Sequence, residues 1–194
     1  MDRNQFIHAC GLLGLGASSL RSLKTLFDAP ENSAPVSSCE ARQASTMKWI
    51  KRFFDIFDQH LDQPARRSIL EACGKECYFG SQHGKNQPHL SPADFVGKLN
   101  NHLGEEAAVL EGNVIYFRYI KNPSGLRVSD GYCLCPMVET GPEGLSGTYC
   151  YCSVGYVREM FRTALGTPVS VELLESLKRG GKQCRFKIAL EKES

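Results

Sequence analysis

Six of the nine cysteines in this 194-residue chain fall in close pairs. Cys73 and Cys77 are four apart, Cys133 and Cys135 form one Cys-x-Cys, and Cys150 and Cys152 form another. A chain of this length builds its core without sulfur staples. Paired thiols at short spacing therefore point to metal binding, redox chemistry or a reactive nucleophile. Side chains alternate across a β-strand, so both members of a Cys-x-Cys share one face. On neighbouring strands, Cys133, Cys135, Cys150 and Cys152 would present four sulfurs together. Four thiolates complete a tetrahedral shell for zinc or hold an iron–sulfur cluster. Zinc is the better fit, since it accepts four thiolates without redox demands. Pro136 interrupts the ladder beside Cys135 and allows the inward bend that a shared metal needs.

The remaining thiols divide by context. Cys73 and Cys77 share one side of a helix and either complete the site or form a second pair. Cys184 alternates with Phe186, Ile188 and Leu190, which places it toward a core. Cys152 immediately precedes Ser153, a cap for a following helix. The partial positive charge of a helix N-terminus lowers a thiol pKa, which makes Cys152 the best single candidate for a nucleophile. Buried reduced thiols and disulfides suit the same residues, so the spacing leaves three readings open. His83 and His89 lie in a polar loop near Cys77, and Glu172 and Glu175 near a strand end. The histidines either ligate a metal beside Cys77 or are solvated, and the glutamates either pair for acid–base work or serve as caps or solvated groups. Tyr116, Tyr119, Tyr132, Tyr149 and Tyr151 fall on candidate strands, where they either line an apolar pocket or follow strand propensity.

The elements that must position these residues follow from composition and periodicity. Hydrophobic residues make up 42% and charged residues 23%, a globular balance. The net charge of +2 comes without a continuous basic stripe, which argues against a nucleic-acid binder. No stretch approaches the ~20 apolar residues of a membrane span. Within residues 1–27, one basic residue, Arg3, precedes a Gly-rich apolar run and small residues at Ala17–Ser19, which is a signal-peptide layout. Arg3 to Ile7 resembles a bacterial twin-arginine export signal, with Asn4 in place of the second arginine. That implies a periplasmic or exported protein; a short helix in a cytoplasmic protein is the alternative. Residues 28–45 read as a linker, and 46–194 as one domain.

Within that domain, apolar spacing predicts a helix over 46–61 through Ile50, Phe53, Phe54, Phe57 and Leu61. A second starts near Pro64, with Ile69, Ala72, Cys73 and Cys77 inward, fraying near Cys77. A third follows the Ser91–Pro92 cap. Strands are expected at 107–110 and 113–121 around a Glu111–Gly112 turn, then at 131–138 and 148–152. A fourth helix follows Ser153 and stops at Gly166, and a final antiparallel pair spans 169–174 and 184–190. The order gives an α+β fold, an antiparallel sheet flanked by helices with a helical N-terminal half.

One stretch is similar to a known family. Tyr149-Cys150-Tyr151-Cys152-Ser153-Val154-Gly155-Tyr156, an amphipathic helix, Gly166-Thr-Pro-Val-Ser-Val-Glu172, and Gly180-Gly-x-x-Cys184-Arg-Phe186-x-Ile188 resemble the C-terminal half of the 4-vinyl reductase domain. Its relatives include the L-2-amino-thiazoline-4-carboxylic acid hydrolase-like family. The resemblance covers roughly residues 149–190. It implies an α+β small-molecule-binding or sensor module, with ligand or metal contacts at Cys152 or Cys150 and at Cys184. Two positions depart from the pattern: Ser176 stands where a cysteine is usual, and Gly181 where an aspartate is. The leading expectation is thus a binding or sensor module with a thiol-rich metal or redox site and a small-molecule ligand. The alternatives are a cysteine-dependent hydrolase of thiazoline-like carbon–nitrogen substrates using Cys152, and an exported disulfide-stabilised domain without a site.

Overall fold

The computed structural model describes residues 38–81, 88–104, 106–120, 133, 135 and 144–191. The export-signal segment, Cys10, His83 and all of the expected 131–138 strand except Cys133 and Cys135 lie outside them. The chain divides between Lys48 and Trp49 into two units. In the first, the described residues are the opening turns of helix α1 (Ser38–His60), where the Thr46 hydroxyl donates to the Arg42 carbonyl at 2.9 Å. This helix starts at Ser38 rather than at 46, so the second half of the expected linker is helical.

The second unit holds the rest of α1, then α2 (Gln63–Gly80), α3 (Pro92–Leu103), β1 (Ala108–Glu111), β2 (Val114–Arg118), α4 (Tyr151–Leu165), β3 (Val169–Glu175) and β4 (Arg185–Leu190). The strands form one antiparallel sheet in the order β1-β2-β4-β3. Among the described residues, four helices, three of them ahead of the first strand, and a four-stranded antiparallel sheet make this an α+β protein. No helix among the described residues is long and apolar enough to cross a membrane.

Local chemistry sets the helix ends. Asp62 accepts from the Ala65 amide at 2.8 Å and opens α2 with Pro64 in its first turn. Ser91 Oγ accepts from the Asp94 amide and opens α3. Gly166 ends α4 in the left-handed region at φ 71°, where glycine carries no Cβ penalty. The Asn100 side chain on α3 donates to the Ala108 carbonyl and accepts its amide, at 2.9 and 2.8 Å, so α3 closes onto the edge strand β1.

Strand alternation puts Ile115, Phe117, Phe186, Ile188, Val169 and Val171 on one sheet face, all buried. Val154, Val157 and Phe161 of α4 pack in the same core. Phe161 is fully enclosed, with ring contacts to Phe95 at 5.1 Å and Phe117 at 5.6 Å. On α1, Phe54 and Phe57 are buried, but Phe53 of the expected inner face is exposed and stacks on Trp49 at 5.6 Å.

Two expectations are corrected by this packing. Residues Thr148–Cys152 are not a strand: Gly147–Cys150 form a 3-10 turn that runs into α4 at Tyr151. The strand propensity of Thr, Tyr and Cys yields to the helical burial of Tyr151, Val154, Gly155 and Val157. The inner face of α2 is also rotated from the expected one. Leu70, Gly74 and Tyr78 are buried, whereas Ile69, Ala72, Cys73 and Cys77 are exposed. The cause is Gly74, where α2 makes its closest contact with α4. A Cβ there would run into the Cys152 carbonyl, and one at Gly155 into the Glu71 carbonyl. The two glycines let α2 and α4 cross backbone to backbone.

Candidate functional site

No disulfide joins the described cysteines. The structure draws four of them to one cavity of about 20 Å³, lined by Tyr119, Cys133, Cys135, Tyr149, Cys150, Ser153, Leu173, Ser176, Cys184 and Phe186. Cys184 enters from the residue before β4, and Cys150 from the 3-10 turn. The Cys135 thiol donates to the Tyr149 hydroxyl at 3.6 Å. Ser176, between β3 and the next 3-10 turn, is 3% exposed. Its Oγ has no hydrogen bond of ordinary geometry among the described residues. It lies beside the Cys150 thiol, whose charged form it favours.

Three of the expected metal ligands, Cys133, Cys135 and Cys150, line this cavity; Cys152 does not. Residues two apart on a helix point about 200° from each other, so Cys150 and Cys152 diverge at the start of α4. Cys184 takes the fourth place. Among the described residues no three of His, Cys, Asp or Glu are gathered as a metal site. Cys152 instead lies against α2, with its carbonyl at the Gly74 contact. Its position in the first turn of α4 does not activate it. Burial, with neighbouring Cys77, Cys135 and Cys73, pushes its pKa up to about 12. Desolvation outweighs the pull of the helix N-terminus on this thiol.

Burial also raises Cys133 and Cys150, and pushes Cys184 up to about 11. Tyr119 and Tyr149 are raised by burial as well. The cavity is thus lined by neutral, soft groups at neutral pH. Two cations work against this: Arg179 and Lys178 both lower the Cys150 pKa, and Lys178 that of Cys133.

The approach to the cavity is fixed from α1. Asp58 accepts a short hydrogen bond from Ser146 Oγ and an ion pair from Arg66 at 3.1 Å. Ser146 Oγ in turn accepts from the Thr148 amide and opens the turn that carries Cys150. Burial pushes the Asp58 carboxyl up, but bonds from Ser146, Arg66 and Thr148 prevail and hold it below its usual 3.8. A depressed carboxyl stabilises the fold above its unfolded-state pKa and loses that contribution as pH falls through its folded-state pKa. Urea midpoints should therefore drop below pH 3.8 in wild type. Asp58→Ala should cost about 1–2 kcal/mol at neutral pH and flatten part of this acid dependence. An unchanged acid limb in the variant would remove Asp58 from this role.

The other sequence candidates lie elsewhere. His89 is exposed and packs on Gly166. Glu172 is exposed on the sheet, and Glu175 accepts from the Lys182 amide at 2.6 Å, closing a turn. Tyr151 is held by Gln63 at 3.1 Å, with the Arg67 and Arg179 guanidinium groups 5.6 and 5.5 Å from its ring centre. The sequence reading did not assign Ser176 to a site. A lone serine after a strand carries no spacing signal, and it entered only as a departure from a family pattern.

The class defined here is an α+β protein with a thiol-lined cavity between its sheet and the start of its last helix. The chain belongs to a family of unknown function, DUF6144, whose profile matches residues 36–194. No curated protein matches the sequence. Among solved structures it is similar to a trafficking protein particle complex subunit 3 from Naegleria fowleri covalently bound to palmitic acid, at 13% identity and a TM-score of 0.43, over 79% of this chain and 97% of that one.

Proposed function

We propose that the protein is a sensor or binding module whose cavity takes one thiophilic metal ion, zinc being the first candidate. The lining of one cavity by Cys133, Cys135, Cys150 and Cys184, beside the buried Ser176 Oγ, carries this reading; the four thiols would have to draw closer together to share an ion. Size decides between ligand classes. About 20 Å³ accommodates one ion or water, whereas sites for drug-sized organic ligands run to roughly 300–1,000 Å³. Donor type agrees, because thiolates suit zinc and other soft cations. Arg179 and Lys178 would offset the negative charge of the thiolates. Binding must expel protons from the thiols, and burial holds those of Cys133, Cys150 and Cys184 above the ordinary range, so affinity should rise with pH. The resemblance to the 4-vinyl reductase domain supports a binding role. The raised pKa of Cys152 favours binding over a hydrolase that needs a ready thiolate.

Metal analysis of the full chain purified under reducing conditions tests the proposal. The expected result is about one equivalent of zinc retained through desalting, lost in the Cys150→Ser, Cys184→Ser double variant. Less than ~0.3 equivalent of any metal, with all thiols titratable in the native protein, would sink it.

A further inference from the structure

We infer that Cys77 and Cys152 form a redox-active dithiol at the α2–α4 crossing, a modification site for low-molecular-weight disulfides that is separate from the cavity. The Gly74–Gly155 crossing holds the Cys152 backbone against α2, three residues before Cys77. Residues three apart on a helix share a face, so Cys77 lies one turn beyond Gly74 on the side of α2 that meets the start of α4. The crossing is pinned by the Arg158–Glu71 ion pair at 2.6 Å and by the Tyr78 and Tyr156 rings at 5.5 Å. Cys77 is exposed and Cys152 half-buried, so one thiol meets reagent and the other waits behind it. Cys73 is also exposed, but a regular helix does not bridge it to Cys77 without distortion.

The chemistry is thiol–disulfide exchange. Cys77 gives up its proton and attacks one sulfur of the small disulfide, whose sulfur–sulfur bond breaks to release one thiol. Cys152 then loses its proton and attacks the Cys77 sulfur, expelling the second thiol. Two protein thiols are oxidised to one disulfide, and the small disulfide is reduced to two thiols. Cys77 is exposed and Cys152 half-buried, so Cys77 makes the first attack and closure follows.

The test treats the full chain with oxidised glutathione at mildly alkaline pH, traps free thiols with iodoacetamide, and maps disulfide-linked peptides. A Cys77–Cys152 link at least about tenfold more abundant than any other pair is expected. Cys73→Ser should form it at an unchanged rate, and Cys77→Ser should not form it. Dominance of any other pair would overturn the inference. So would a stable glutathione adduct on Cys77 with Cys152 still free, or no modification of Cys77. The wild-type map decides the question even where a variant fails to fold.

Discussion

Gly155→Ala should be among the most destabilising single substitutions in this protein, at about 3 kcal/mol or more. Its new methyl would meet the Glu71 carbonyl and Cα, all main-chain atoms of α2. A side chain can rotate away from an intruder, but a helix backbone has to move as a body. Gly74→Ala should behave alike, because its Cβ would meet the Cys152 carbonyl and the Tyr156 amide. Native domains are stable by roughly 5–15 kcal/mol, so either change removes a large share. Gly97 on α3 provides the contrast, with nothing within 4 Å of an added Cβ. Gly97→Ala should stabilise by about 0.5–1 kcal/mol through helix propensity alone. Urea midpoints for the three variants check this. A Gly155→Ala midpoint close to wild type would mean that the helices do not cross as described.

The second large effect concerns Phe161. Its ring is fully enclosed and sits among Phe95, Phe117 and the sheet. Phe161→Ala should cost about 3–5 kcal/mol, from lost transfer energy plus the void left where rigid neighbours cannot collapse. The same helix begins at the thiol cavity, so loosened packing should also speed alkylation of buried Cys150 and Cys184. Both are read from one preparation, by denaturant unfolding and by timed iodoacetamide labelling. A loss under ~1 kcal/mol would show that α4 is not the element closing the sheet face.

The elements that obey a single strong rule were legible in the sequence. The Ser91 cap, the Glu111–Gly112 hairpin, the Gly166 stop and the alternation through Phe186 and Ile188 all predict local structure from local chemistry. Errors arose where two rules competed. Thr148–Cys152 has strand propensity, but burial of Tyr151 and Val154 against the core extends α4 upstream. Gly74 reads as a weak point in a helix taken alone, and only a partner helix turns it into a crossing point. The site was half legible for the same reason. Cys133, Cys135 and Cys150 of the two Cys-x-Cys pairs do line one cavity. The change from strand to helix then sent Cys152 toward Cys77. Cys184 and Ser176 joined the cavity through tertiary folding, which no spacing in the sequence encodes.

Differential alkylation with and without zinc tests the central claim most directly, because it reads each thiol separately. The reduced full chain is labelled with iodoacetamide in the presence of zinc or of a chelator, and every cysteine is quantified by peptide mass spectrometry. The account expects zinc to slow labelling of Cys133, Cys135, Cys150 and Cys184 by about tenfold or more, while exposed Cys73 and Cys77 label at the same rate in both samples. Equal labelling of the four cavity thiols in the two samples, or protection confined to Cys73, Cys77 and Cys152, would contradict it.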